Sequence, residues 1–339
     1  MNVWLAIVLL IIGFVCLVKG ADWFVDGASG IAEKLRVPSL VIGLTVVAFG
    51  TSAPELATSV ISSMQGDTGI AIGNIVGSNI TNVLLILGLS ALICNLPVSK
   101  DTRRIDFPVL IGASALLLLC GLDGTLSRLE GIVFFALSIV YTVALIWLAV
   151  HRRNQEDARL TDISQESIAC ETTDIKSAKT AYGRWHQTMK EKAWFLTVVT
   201  LVGLAIVVLG ANLAVEGATA IAEKLGVSER IIGLTVVAIG TSLPELVTCV
   251  VASTKGDTDI AVGDIVGSCI FNILRTLGLA ATIAPLGFAP AFLMDTGVAI
   301  GAVVLLTALG LWKGRKIRRW GGVVMLLGFM AYYVYLFVI

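Results

Sequence analysis

The chain has 339 residues, 57% of them hydrophobic and 14% charged, and its 24 basic and 24 acidic side chains cancel. With a mean hydropathy of +0.92, it lies far from soluble domains, in which about a quarter of residues are charged. An ordinary soluble domain is excluded and the expected fold class is an all-α membrane protein, because several runs reach the ~20 apolar residues that cross a bilayer core.

In chain order, ten spans are expected, over 3–19, 40–64, 70–95, 105–122, 129–150, 193–215, 230–253, 260–284, 291–312 and 320–338. The first 18 residues carry no charge, whereas a secretory signal wants a basic start, so this segment is expected to be a retained first span. Residues 151–192 form the one long polar stretch, with eight basic and seven acidic side chains. They read as a solvated linker between a first half, 1–150, and a second half, 193–339. The connectors on one side of the membrane collect 19 Lys and Arg, and those on the other only Arg128, Lys224 and Arg230. The positive-inside rule puts the basic side, including 151–192, in the cytoplasm and both termini outside. The six Cys are scattered without a CxxC pair, so neither disulfides nor a metal cluster is expected. Both His, His151 and His186, fall in the linker, which leaves no intramembrane His relay.

The halves repeat one another. GLTVVAFGTSAPELATSV begins at Gly43 and GLTVVAIGTSLPELVTCV at Gly233, and from Gly43–Leu89 against Gly233–Leu279 31 of 47 positions are identical without a gap. Five spans per half is an odd number, so the second half must enter the membrane upside down. This is the inverted-repeat plan of many secondary transporters, whose substrate site lies near the midplane between repeats.

Each copy puts one carboxylate, Glu55 or Glu245, into a stretch otherwise fit for lipid, with no Lys or Arg in either motif helix. An unpaired charge there is costly and marks a pathway or site. Pro54 and Pro244 lack an amide hydrogen and crowd the carbonyl four residues back, so they are expected to free the carbonyls of Gly50 and Gly240. Thr51, Glu55 and Thr58 follow a helical spacing and share one face, as do Thr241, Glu245 and Thr248. Ser52 and Ser242 add hydroxyls. Further on, Ser78 and Asn82 are four apart, as are Ser268 and Asn272. All of these are hard oxygen ligands of the kind that suit calcium, which takes six to eight. The competing reading is structural. Gly43, Gly73, Gly263 and their mates are small residues of the kind that let membrane helices approach, and serines often bond their own backbone.

These motifs resemble the Ca2+/cation antiporter superfamily, specifically bacterial sodium/calcium exchangers, with their paired repeats and GTSxPE and GSNI signatures. The resemblance covers nearly the whole chain. It implies alternating access with sodium and calcium competing for central sites, Glu55 and Glu245 as the main ligands, and Thr51, Ser52, Thr241, Ser242, Ser78 and Ser268 as further ligands. The amide or carboxylate that ends the second signature maps onto Asn82 and Asn272. Many prokaryotic exchangers carry Asp at the position of Asn272, which leaves two formal negative charges at the centre here. Cys269 stands in the place of Asn79, Asp264 in that of Asn74 and Arg275 in that of Leu85. For Arg275, snorkelling or pairing away from the site is expected.

The expected function is sodium-driven calcium export across the cytoplasmic membrane, with proton/calcium antiport as the nearest rival and a cation channel behind it. No enzyme activity and no cofactor are expected. The expected partners are calcium and sodium ions and the bilayer, with neither nucleic acid nor a protein implied.

Overall fold

A computed structural model describes residues 2–35, 39–166, 193–224, 238–312 and 314–338. It is built almost wholly of helices. The first half comprises α1 (Val3–Leu35), the broken pair α2 (Leu40–Thr51) and α3 (Ala53–Gln65), then α4 (Thr68–Ile93), α5 (Thr102–Asp123) and α6 (Arg128–Glu166). The second half comprises α7 (Ala193–Lys224), α8 (Ala238–Thr241), α9 (Leu243–Lys255), α10 (Thr258–Ile283), α11 (Pro290–Leu311) and α12 (Arg319–Val338). Eight described helices are long and apolar enough to cross a membrane, and the bent pair α2–α3 makes up to nine. The start of the span expected at 230–253 lies outside the described residues, as does Gly233.

Helices α4 and α10 form the centre. Their apolar windows are 78% and 94% buried, against 22% for α1. The outer helices instead expose Trp4, Ile11, Val140, Trp147, Leu327 and Met330, the surface expected of a lipid-facing wall.

The first helix does not stop where its hydropathy falls. It runs on through Lys19, Asp22 and Asp26 to Leu35, rather than ending near residue 19. The reason is packing. Gly13, Gly20 and Gly27 recur every seven residues and lie against Gly210/Ala214, Gly203/Val207 and Leu196/Thr200 of α7, whose own Gly203, Gly210 and Gly217 have the same spacing. A Cβ on Gly13 would sit 2.6 Å from the Ala214 nitrogen, and one on Gly203 2.5 Å from that of Phe24. Rising numbers in α1 meet falling numbers in α7, so the two helices run antiparallel in close backbone contact. The polar turns of α1 find a partner at the end of α9, where Lys255 pairs with Asp22 at 2.8 Å and Asp26 at 2.9 Å. In the same way α6 continues past residue 150 to Glu166, into the segment read as linker.

Two short antiparallel ladders join the halves. Strand β1 (Leu96–Pro97) pairs with β4 (Lys316–Ile317), and β2 (Thr125–Leu126) with β3 (Leu286–Gly287). At the centre α2 lies on α10. A Cβ on Gly263 would be 2.8 Å from the Leu40 carbonyl, one on Gly43 2.9 Å from that of Ile260, and one on Gly267 2.9 Å from that of Leu44. For these three glycines the packing reading holds.

Candidate functional site

The site is built where α2 and α8 stop. Helix α2 ends at Thr51, Ser52 leaves helical geometry at φ −82° and ψ 10°, and α3 restarts at Ala53 with Pro54 in its first turn. The bend is 47°. The second copy repeats this: Ser242 sits at φ −89° and ψ 6°, and Pro244 stands in the first turn of α9. Proline is tolerated at that position because the N–H it lacks would be unpaired there anyway. Each break places a helix C-terminus beside the next N-terminus. Thr51 and Thr241 come from the first kind of end, where partial negative charge favours cations, and Glu55 and Glu245 from the second, where carboxylates are favoured. The Gly50 carbonyl is not fully freed, since a backbone N–H at the Ser52 cap returns to it. Gly50 packs against Leu204, and Gly240 against Val215.

Glu55, Glu245 and Asp264 are all fully buried. The carboxylates are held across the halves. Ser52 Oγ donates to Glu245 Oε1 at 2.9 Å, and Ser242 Oγ donates to Glu55 Oε1 at 3.3 Å. Ser242 Oγ is also 3.3 Å from Ser78 Oγ. Thr51 Oγ1 donates to Asp264 Oδ1 at 3.0 Å, and Ser268 Oγ to the Ala48 carbonyl at 3.4 Å. On the opposite wing Thr241 Oγ1 donates to Asn74 Oδ1 at 3.4 Å. Deeper in, Asn272 Nδ2 donates to Asn79 Oδ1, and Asn79 Nδ2 to the Cys269 carbonyl, both at 3.2 Å.

Of the residues expected at the site, hydrogen bonds link Ser52 with Glu245, Ser242 with Glu55 and Ser78, and bring Thr51, Thr241, Ser268 and Asn272 to neighbouring partners. Gly50 and Gly240 stand at the helix ends, and Asn82 is buried on α4 without a hydrogen-bond partner. Thr58 does not share the buried face. It lines a cavity of about 520 Å³ with Pro54, Asn212, Glu216 and Thr241. Its mate Thr248 is fully buried.

The expectation of two negative charges needs correction, because Asp264 is a third carboxylate at the centre. Its position was legible. Asp264, Ser268 and Asn272 stand four apart on one face of α10, as Asn74, Ser78 and Asn82 do on α4. Arg275 is turned away. Its guanidinium donates to Thr142 Oγ1 at 3.2 Å and lies over the rings of Phe271 and Phe49, 4.5 and 5.1 Å from their centroids.

Several buried oxygens have no hydrogen-bond partner: Glu55 Oε2, Glu245 Oε2, Asp264 Oδ2, Asn82 Oδ1 and Asn272 Oδ1. Leaving a buried polar atom unsatisfied costs about 1–3 kcal/mol, more when it is charged. Asn82 Nδ2 and the hydroxyls of Thr248, Ser253 and Thr296 are likewise buried without a partner, but the three carboxylate oxygens carry the charge that a cation would match. Among the described residues no group of three or more His, Cys, Asp and Glu side chains could hold a metal ion unaided. The donors are instead mixed, with hydroxyl, amide and carbonyl oxygens between the carboxylates. That suits hard cations such as sodium and calcium and not soft ones.

A multi-pass helical membrane protein with an oxygen-lined centre between two broken helices is a cation transporter by class. Comparison with known proteins gives the family. The sequence profile described as sodium/calcium exchanger protein matches residues 5–147 and 195–338, and the chain belongs to that family. CaxA of Alkalimonas amylolytica is 38% identical over 335 residues, covering 98% of both chains. The sodium/calcium exchanger MaX1 of Methanosarcina acetivorans is 37% identical, again covering 98% of both. A solved structure of the sodium-calcium exchanger NCX_Mj superposes with a TM-score of 0.80 at 30% identity, covering 98% of this chain and 99% of that one. The protein is an antiporter and not an enzyme.

Proposed function

We propose that the protein exports calcium from the cytoplasm in exchange for sodium, by alternating access to one central site. The observation that carries this is the reciprocal hold of Ser52 on Glu245 and of Ser242 on Glu55, which makes one site from two halves inside a sodium/calcium exchanger fold. Sodium and calcium compete there for Glu55, Glu245, Thr51, Ser52, Thr241, Ser242, Ser78, Ser268, Asn82 and Asn272, with the carbonyls of Gly50 and Gly240 at the helix ends. The chain is arranged as ten spans in two inverted repeats. The antiparallel course of the equivalent helices α1 and α7 supports this, as do the two ladders. In that arrangement β1 and β4 belong to connectors of one side, and β2 and β3 to connectors of the other. In this reading the first of these sides, with 151–192, is cytoplasmic and both termini lie outside the inner membrane, which the excess of Lys and Arg supports.

The test is uptake of radioactive calcium into sodium-loaded proteoliposomes diluted into sodium-free buffer. Uptake that needs internal sodium and disappears in Glu245→Gln supports the reading. Uptake driven by a pH gradient and indifferent to sodium assigns the same carboxylates to proton/calcium antiport instead.

A further inference from the structure

The repeat also runs through the long glycine-ridged helices: GADWFVDGASGIAEKL begins at Gly20 and GANLAVEGATAIAEKL at Gly210. Asp22 and Asp26 of α1 therefore have Asn212 and Glu216 of α7 as mates, and Lys255 at the end of α9 has Gln65 at the end of α3. These equivalent parts are packed differently. Asn212 and Glu216 line the cavity of about 520 Å³ that reaches Gly240 and Thr241 at the end of α8, with Ala53 and Ala57 of α3 in its wall. On the other side α1 lies on α9. Leu243 and Val247, the mates of Ala53 and Ala57, pack there against the buried cluster that contains Leu17 and Ala21. At the far end of α9 the Lys255 ammonium meets Asp22 Oδ1 at 2.8 Å, and Asp26 Oδ1 and the Asp22 carbonyl at 2.9 Å. Just beyond, Ser29 Oγ donates to Asp257 Oδ2 at 2.8 Å.

We infer that Lys255 is a latch. By bridging Asp22 and Asp26 it holds α1 on α9 and keeps one of two equivalent entrances to the central site shut, while the other stands open beside Asn212 and Glu216. This rests on the exchange reading above, in which the site opens to one side at a time; with the orientation proposed there, the latched entrance faces the cytoplasm. The halves serve as each other's control. The entrance is shut where Lys bridges two Asp, and open where the same three positions hold Gln, Asn and Glu. The strength of the bridge suits a part that must let go. Asp22 and Asp26 are 42% and 51% exposed, and ion pairs so open to water are individually weak. Because the bridge forms only in the shut state, its whole strength goes into biasing the balance between the two entrances. The uncharged Gln65 gives the open side no such bias.

The test reads the two entrances separately, in purified full-length protein without native cysteines and free of sodium and calcium. Ala57→Cys marks the open cavity and Val247→Cys its mate on the latched side, and the rate of reaction with a small methanethiosulfonate reagent is measured at each. Adding Lys255→Gln should speed labelling at Val247→Cys by about two- to tenfold, the shift that two exposed bridges support, and slow it at Ala57→Cys. Lys255→Arg should restore both rates. A bridge that only steadies the fold would raise both rates together when lost; that result, or an unchanged rate at Val247→Cys, overturns the proposal. The converse transplant, Gln65→Lys with Asn212→Asp, gives the other entrance the same trio and should slow labelling at Ala57→Cys. An unchanged rate there rejects the trio as the cause. No ion gradient enters the measurement, so the two readings fail separately. Loss of sodium-driven uptake with the labelling pattern intact removes the exchange reading and leaves the latch, and normal uptake without the pattern does the reverse.

Discussion

Glu245 and Glu55 each accept one serine hydroxyl and keep one oxygen unpartnered, so without a cation they weaken the fold. Exchanging either for Gln removes a buried charge while leaving an acceptor for the serine. In cation-free detergent Glu55→Gln should therefore melt at a higher temperature than wild type, by about 1–3 kcal/mol of stability. It should also lose the stabilisation that calcium gives wild type. A calcium titration followed by differential scanning fluorimetry reads both signs. These glutamates were legible in the sequence because a charge repeated in an apolar stretch has few structural explanations. The spacing of Asp264 with Ser268 and Asn272 put it on their face of α10, but as a departure from its mate Asn74 it carried no signal of its own, and the hydrogen bond from Thr51 on a different helix shows it at the centre. Glycine packing was partly legible too. Spacing suggests close contact, but the backbone of the partner decides which glycines need it. Gly263→Val would drive its side chain into the Leu40 carbonyl and should cost about 1–3 kcal/mol, measured as a lowered melting temperature.

At the level of elements, the sequence shows the breaks through Pro54 and Pro244 but not their exact geometry. The chain leaves the helix at Ser52 and Ser242, one residue before the helix that contains each proline. That displacement puts Thr51 and Thr58 on different helices, as it does Thr241 and Thr248, but only Thr58 lines the cavity. Stretches of π-helix follow at repeat-equivalent places, Thr81–Ile86 and Asn272–Leu277. An extra residue per turn shifts which side chains face inward, which periodicity of 3.6 cannot foresee. Pro54→Ala restores a backbone donor at the start of α3 and lets α2 and α3 approach a continuous helix. The variant should fold and bind calcium at least about 10-fold more weakly, as isothermal titration would show, because the helix end and Glu55 would no longer converge. The extent of α1 and α7 was not legible from hydropathy. Polar residues inside a helix that is clasped by a glycine ridge look, in sequence, like a connector.

For the whole molecule, the proposed inversion of the halves rests on an odd number of spans per repeat, and the ladders make it testable. Lys316 belongs to β4 and Thr125 to β2. In intact cells of a background with native cysteines removed, Thr125→Cys should react with a membrane-impermeant maleimide and Lys316→Cys should react only after permeabilisation. The reverse pattern would invert the orientation, and labelling of both from outside would break the inverted plan.

The crossed serine–glutamate contacts also have a hereditary side. Each repeat keeps its glutamate in order with a hydroxyl that belongs to the other, so a lesion in one copy appears as a defect in its sibling. Two such copies cannot drift independently or be separated without loss. The wings still differ where Asp264 faces Thr51 and Asn74 faces Thr241, so the two copies share their glutamates without being interchangeable.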